Sequence, residues 1–178
     1  MSGAKRVLYL IICGVSNADE SYEFVKSAKA DGWDLCAVTT PMGSRFVDST
    51  HLFDLTGHPV RSHYKHPDDP DVLPMADAIV VAPASFNTIN KIAQGISDTL
   101  AVGIVCEAIG ADKPVIVAPW MNRALASHGA YRRSLAHLRE DGVTLVLTDR
   151  TVADGGSESA PVRFPWKQVS DELRKITP

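Results

Sequence analysis

No apolar run in this chain of 178 residues is long enough to cross a bilayer as a helix. Val7 to Cys13, close to the N-terminus, has the length of a strand and reads into Gly14-Val15-Ser16 as a strand reads into a turn, so neither a membrane span nor a targeting segment is expected there. Cysteine is scarce. Cys13, Cys36 and Cys106 are odd in number, far apart and set within apolar stretches, which fits reduced core thiols in a cytoplasmic protein better than a disulfide framework. Charge of either sign is not in excess: the net value of -3 leaves no global electrostatic footprint for nucleic acid or an anionic membrane, and small molecules or proteins are the expected partners. The histidines lack a partner set at ligand spacing, so no metal site is expected. Finally, no Gly-x-Gly-x-x-Gly follows the first apolar run and no Gly-Lys-Ser/Thr loop occurs, which weakens a classical dinucleotide reading and argues against a nucleoside triphosphatase, while a flavin mononucleotide stays compatible.

What the chain does contain is an alternation of apolar runs and helical patterns. Strands are expected at Val7–Cys13, Leu35–Thr39, Ala78–Ala82, Pro114–Ala118 and Val143–Leu147, each a continuous apolar run suited to a sheet covered on both faces. Helices are expected over Ala18–Ala30, closed by Gly32, over Thr88–Gln94, over Ser97–Ala108, and as one long segment over Arg123–Glu140, closed by Gly142. Residues Ser49–Pro74 read as the least regular stretch, with one short strand around Val60 and a loop through His66–Asp71. The alternation predicts right-handed βαβ units in a single-domain α/β fold, Rossmann-like or flavodoxin-like, with three layers around a parallel sheet. The expected division is a ligand-binding core over 1–150 and a C-terminal flap and tail over 151–178, with Gly155-Gly156 in the flap and a short final helix.

In such a sheet, ligands sit at the carboxyl ends of the strands. Three turns should converge there: Gly14-Val15-Ser16, Thr39-Thr40-Pro41 and Pro83-Ala84-Ser85-Phe86-Asn87-Thr88, with Pro119-Trp120-Met121-Asn122 as a fourth. The third is the most informative. An apolar run breaks at Pro83 and hands small polar residues to a helix start, where free amides and the hydroxyls of Ser85 and Thr88 suit a phosphate or the edge of a heteroaromatic ring.

Pro83-Ala84-Ser85-Phe86-Asn87-Thr88, continued by Ile-Asn-Lys-Ile-Ala-Gln-Gly-Ile-Ser-Asp-Thr-Leu, resembles the flavin-binding signature of the homo-oligomeric flavin-containing cysteine decarboxylases, and Pro119-Trp120-Met121-Asn122 resembles their second motif. That family includes phosphopantothenoylcysteine decarboxylases and the peptidyl-cysteine decarboxylases of lantibiotic synthesis. The resemblance runs from Val7 to Leu147 and implies FMN as cofactor, with Gly14, Ser16, Thr40, Ser44, Phe46, Ala84, Ser85, Asn87 and Thr88 around it. It further implies Asp98 lying against a neighbouring subunit's flavin, Met121 near the flavin, Asn122 holding the substrate carboxylate, and a trimer or multiple of trimers. Read alone, Thr40 and Ser44 suit a turn or cap, Phe46 and Met121 suit packing, Asp98 suits a helix N-terminal charge, and Asn122 suits an N-cap.

Three departures bear on activity. Where the family's decarboxylases place a catalytic histidine, fourteen residues before the motif proline, this chain has Asp69, in a segment where Pro67, Pro70 and Pro74 disfavour a regular helix. An ordinary aspartate is ionised near pH 7 and is a poor proton donor there. Leu125-Ala126 stands where the family continues with Met-Trp, and no cysteine occurs in the tail, which argues against the full coenzyme A reaction and suits an enzyme that stops at an enethiol. The resemblance therefore implies FMN-dependent oxidative decarboxylation of a small thiol or a peptide's C-terminal cysteine. A non-catalytic FMN-binding regulatory protein of the same fold, or a flavin prenyltransferase-like enzyme, is the alternative.

Overall fold

The computed structural model describes residues 5–147, 152–153 and 163–176. Five strands, β1 (Val7–Ile12), β2 (Asp34–Thr39), β3 (Ala78–Ala84), β4 (Val115–Pro119) and β6 (Thr144–Leu145), form one sheet in the order β2-β1-β3-β4-β6, with every pair parallel. A two-residue strand, β5 (Met121–Asn122), pairs with β7 (Val152–Ala153) outside it. The helices are α1 (Ser21–Ala30), α2 (Ser49–Thr56), α3 (Phe86–Ala93), α4 (Leu100–Gly110), α5 (Arg123–Ala126), α6 (Gly129–Glu140) and α7 (Trp166–Arg174). This is the expected three-layer, flavodoxin-like arrangement.

The central strands are apolar throughout because both faces are covered. In β1, Tyr9 and Ile11 point to a core shared with Ile89, Val102, Val105, Leu135 and Leu138 of α3, α4 and α6. Leu8, Leu10 and Ile12 point the other way, to Phe24 and Val25 of α1, Leu52 of α2 and Val169 and Leu173 of α7. Successive residues of a strand face opposite sides, so one run of six buried residues serves two cores. Among the described residues, no helix is long and apolar enough to cross a membrane.

Several local expectations are corrected. Ser49–Thr56, read as irregular, is a helix: the Asp48 side chain accepts hydrogen bonds from the Thr50 and His51 amides at 2.8 and 3.2 Å, and Gly57 closes the helix at φ 81°. Near Val60 there is no strand but a single bridge between Val38 and Arg61. Strand β3 runs on through Pro83 to Ala84, its pairing with β4 shifting register between Val81 and Ala84, and the Ala82–Pro83 peptide is cis. The long helix over Arg123–Glu140 is two, parted at Ser127-His128, where the His128 imidazole accepts from the Ala130 amide and starts α6. The expected strand over Val143–Leu147 is confined to Thr144–Leu145, with the Val146 amide donating to the Val117 carbonyl at 2.9 Å just beyond it. Of the expected flap and tail, Val152–Ala153 and residues 163–176 are described, the final helix being α7, whereas Gly155-Gly156 lie outside the described residues.

Candidate functional site

The strand order reverses direction between β1 and β3, and their connections leave the sheet on opposite faces, opening a crevice at the carboxyl ends. A cleft of about 610 Å³ occupies it. Gly14 and Val15 line it from the turn after β1, Thr40, Pro41 and Met42 from the turn after β2, and Ser85, Phe86, Asn87 and Thr88 from the start of α3. Lys91 of α3, Thr99 and Val102 at the start of α4, Trp120 and Met121 after β4, and Leu125 of α5 complete the lining.

Two glycines let the turns close up. A Cβ on Gly14 would stand 2.5 Å from Met42 Cγ, and one on Gly43 would run into the carbonyl oxygen of Ile12. With hydrogens in their place, the chain after β2 lies directly against the end of β1, and the Thr40 hydroxyl accepts from the Gly43 amide at 2.9 Å.

The polar floor is a small hydroxyl network. Ser85 caps α3, accepting from the Thr88 amide at 3.3 Å, and its own hydroxyl donates to Thr88 Oγ1 at 3.0 Å. Beneath them the buried Cys13 thiol donates to the same Thr88 oxygen at 3.3 Å. Burial pushes the Cys13 thiol above its ordinary range, outweighing its hydrogen bonding with Thr88 and Ser85, which draws it down, so it stays protonated and acts as a donor. A hydroxyl oxygen accepts two hydrogen bonds and donates one. Both acceptor positions of Thr88 are thus filled, and its hydrogen is what remains to offer.

Of the five side-chain polar atoms buried without a partner among the described residues, two belong to residues that line the cleft: Thr99 Oγ1 and Trp120 Nε1. Thr99 occupies the N-cap of α4 yet its side chain caps nothing. A buried donor or acceptor left unpaired costs about 1–3 kcal/mol, so their presence in a cleft lining points to a ligand that satisfies them. The α3 and α4 N-termini also bring their unpaired amides to this cleft. The cationic group in the lining is Lys91, held at 2.6 Å by Asp98.

The flavoprotein family model matches residues 2–175 of the chain. The chain belongs to the flavoprotein family. The coenzyme A biosynthesis bifunctional protein CoaBC of Bacillus subtilis is 31% identical to this flavoprotein over 121 residues, which cover 65% of the chain and 29% of that relative. The chain therefore spans under a third of that longer protein. A probable phosphopantothenoylcysteine decarboxylase of Streptococcus mutans is 26% identical over 147 residues, covering 78% of this chain and 79% of the relative. Among solved structures, the FMN-dependent cysteine decarboxylase TvaF from thioviridamide biosynthesis superposes with a TM-score of 0.72 at 28% identity, covering 84% of this chain and 94% of that one. A PPC decarboxylase mutant complexed with pantothenoylaminoethenethiol gives 0.70 at 25%, covering 96% and 97%.

Of the residues singled out in the sequence, the flavoprotein brings Gly14, Thr40, Ser85, Asn87, Thr88 and Met121 together around the cleft. Ala84 is fully buried at the end of β3. Ser16 and Phe46 are exposed outside the lining, and the Ser44 hydroxyl donates to the Pro41 carbonyl within its own turn at 2.9 Å. Asp98 meets the cleft only through Lys91, and Asn122 stands beside it, its Oδ1 accepting from the Leu125 amide at 2.9 Å. Asp69 is not among the cleft-lining residues: its carboxylate accepts from the His66 amide at 3.0 Å in an exposed turn. Sequence reasoning passed over Thr99, Val102, Lys91 and Cys13. Thr99 had a readable signal, a threonine directly before the apolar run of α4, whereas nothing local marks Cys13 as lying under Thr88.

Proposed function

We propose that this flavoprotein binds FMN in the cleft and uses it in the oxidative decarboxylation of a cysteine, carried by a small thiol or by a peptide C-terminus. The observation that carries the proposal is the pair of unpartnered buried groups, Thr99 Oγ1 and Trp120 Nε1, lining one cleft with the Ser85–Thr88 hydroxyl pair. Amides and hydroxyls at the start of α3 suit a phosphate, and the apolar walls formed by Val15, Met42, Phe86, Val102 and Leu125 suit a flat ring system. The FMN-dependent cysteine decarboxylases and FMN-binding proteins among its structural neighbours support the same reading.

Bound there, FMN supplies a two-electron acceptor for a cysteine thiol, whose conversion to a thioaldehyde makes loss of carbon dioxide from the neighbouring carbon easy. The chain's share is placement. Ser85, Asn87 and Thr88 hold the phosphate and ribityl portion, Gly14 and Thr40 shape the opposite wall, and Met121 with Trp120 forms the side towards the substrate. Asn122 keeps its oxygen on the Leu125 amide, which leaves its Nδ2 amide as the donor for a substrate carboxylate. The apolar walls exclude water from the reacting sulfur.

In the proposed homo-oligomer, a trimer or a multiple of trimers, clefts lie at subunit boundaries, and Asp98 lies against a neighbouring copy's flavin. Asp69, in an exposed turn and outside the cleft lining, favours a second reading, an FMN-binding regulatory protein without decarboxylase activity. Mass spectrometry separates the two. Incubating FMN-loaded protein with cysteine-terminated peptides and small cysteine-containing thiols should convert one of them to a product lighter by one carbon dioxide and two hydrogens. Unchanged thiols throughout, with FMN bound, would leave the regulatory reading.

A further inference from the structure

A second cavity, of about 380 Å³, shares no lining residue with the cleft. Its floor includes Tyr9 of β1 and Ile79 of β3, which stand side by side in the parallel register. One wall is α4, where Leu100, Ile104, Ala108 and Ala111 fall on one face at helical spacing, the two alanines too short to fill the space in front of them. The other wall is the segment 71–76, and it is tied in place. The Tyr9 hydroxyl donates to the Pro74 carbonyl at 2.7 Å, Lys113 Nζ donates to the Ala76 carbonyl at 2.6 Å, and the Val7 amide donates to the Asp77 carboxylate at 2.7 Å. These bonds hold the segment at a set height over the sheet, so the space beneath it is built into the fold. Its volume lies within the range of small-molecule sites, roughly 300–1,000 Å³.

The charges around this cavity are unevenly satisfied. Arg61 and Lys113 are half-buried and form no ion pair with another described residue. The Asp71 carboxylate already meets Lys65 Nζ at 3.3 Å, and Glu107 is exposed on α4. Arg61 is also presented from a fixed backbone: it bridges to Val38, and its carbonyl accepts from the Thr39 amide at 2.8 Å. Its Nη2 donates to the His63 carbonyl at 3.1 Å, which leaves the rest of the guanidinium fork to offer. Burial pushes the Tyr9 hydroxyl up to about 12 while the Arg61 charge draws it down, so that charge is felt at the cavity floor. At the mouth the polarity reverses, with Met75 82% and Val72 45% exposed. Apolar surface left in water and a cation left without an anion, around one cavity, call for an occupant with an apolar body and a negative head.

We propose that this cavity is a second ligand site, for an apolar molecule that ends in a carboxylate. The carboxylate meets the Arg61 fork, with Lys113 adding positive potential, and the body lies against Ile79, Leu100 and Ile104. The same helix carries Thr99 and Val102 into the cleft, so an occupant here leans on an element that completes the first site.

Three probes with one tail and different heads test this: octanoate, octanol and octylamine, each titrated calorimetrically into the protein reconstituted with FMN. Octanoate should bind about fivefold or more tightly than octanol, and octylamine more weakly than either. In Arg61→Gln the octanoate advantage should shrink below about twofold with octanol unchanged. Ile104→Trp, which fills the cavity, should remove saturable binding of all three while its thermal unfolding by circular dichroism stays near the parent's. Absence of saturable binding, octylamine binding as tightly as octanoate, or an octanoate advantage that survives in Arg61→Gln would each overturn the proposal. Sedimentation velocity on the same samples addresses the other occupant. Probes that fail to bind, in an assembly that Ile104→Trp breaks into monomers, would give the groove to a second copy of this chain and overturn the proposal as well. None of these readouts uses turnover, and the two sites share no lining residue, so the result is independent of the decarboxylase reading.

Discussion

Asn122 is the residue at which the chemistry can be separated from the structure most cleanly. Its Oδ1 caps α5, and an aspartate caps equally well, so Asn122→Asp should fold and hold FMN as the parent does. In the proposed substrate pose, however, its donor amide is replaced by a second carboxylate oxygen set against the substrate's own carboxylate. Turnover of the cysteine substrate should fall by about 100-fold or more, measured as initial rate, with the flavin absorbance retained. Cys13 makes a subtler case. Cys13→Ala removes the thiol that donates to Thr88 Oγ1, freeing that hydroxyl to turn away from the cleft, and FMN should bind about twofold to tenfold more weakly in a fluorescence-quenching titration. Unchanged affinity would mean that Ser85 alone orients Thr88. These two residues also mark what a sequence can disclose. Asn122 was legible because its motif neighbours stand next to it in the chain, whereas Cys13 and Thr88 meet only because β1 and β3 pair in parallel, a contact across 75 positions that no local pattern encodes.

At the level of elements, the connection after β2 depends on Gly43. Gly43→Ala drives a methyl group into the Ile12 carbonyl at the end of β1, so the two turns must separate. The expected cost is about 1–3 kcal/mol in urea unfolding, with weakened FMN binding as the cleft wall shifts. Strand chemistry also sets a response to alkali. Burial pushes the Tyr9 hydroxyl on β1 and the Tyr131 hydroxyl on α6 from 10.0 up to about 12, and the Cys36 thiol on β2 from 9.0 up to about 12. Each of these groups is neutral when protonated, and the folded state holds the proton more tightly than the unfolded chain does. Their stabilisation is whole below the unfolded values and is lost as pH climbs through the window between about 9 and 12. The urea midpoint should therefore drop between about pH 8 and pH 10.5, and a Tyr9→Phe variant should lose less. The long elements were legible because burial on two faces writes an unbroken apolar run. Helix α2 was not, although Asp48 and Gly57 bracket it, because of its large apolar residues Leu52 alone is fully buried, while Phe53 is exposed and Leu55 half-buried. The break at Ser127-His128 was hidden because residues on both sides favour helix, and only the Asn122 and His128 caps reveal two starts.

For the molecule as a whole, the order β2-β1-β3-β4-β6 decides where function can sit. It brings four turns, distant in sequence, to one edge of the sheet, so the site's location followed from strand alternation alone. Its completion did not: Thr99 and Val102 enter from α4, which reaches the cleft only through the packing of that helix on the sheet, and Lys91 enters tied to Asp98. Asp69, by contrast, was legible in the sequence as a departure, and in the structure its side chain stays in an exposed turn outside the cleft lining. The central claim is that this cleft holds FMN and offers it to a cysteine thiol. The most direct test is the visible spectrum of the purified protein reconstituted with FMN, recorded before and after anaerobic addition of cysteine-terminated peptides and small cysteine-containing thiols. The account predicts a protein-bound flavin spectrum that bleaches with at least one of these thiols and far more slowly in Asn122→Asp. A protein that retains no FMN after reconstitution and gel filtration would contradict it.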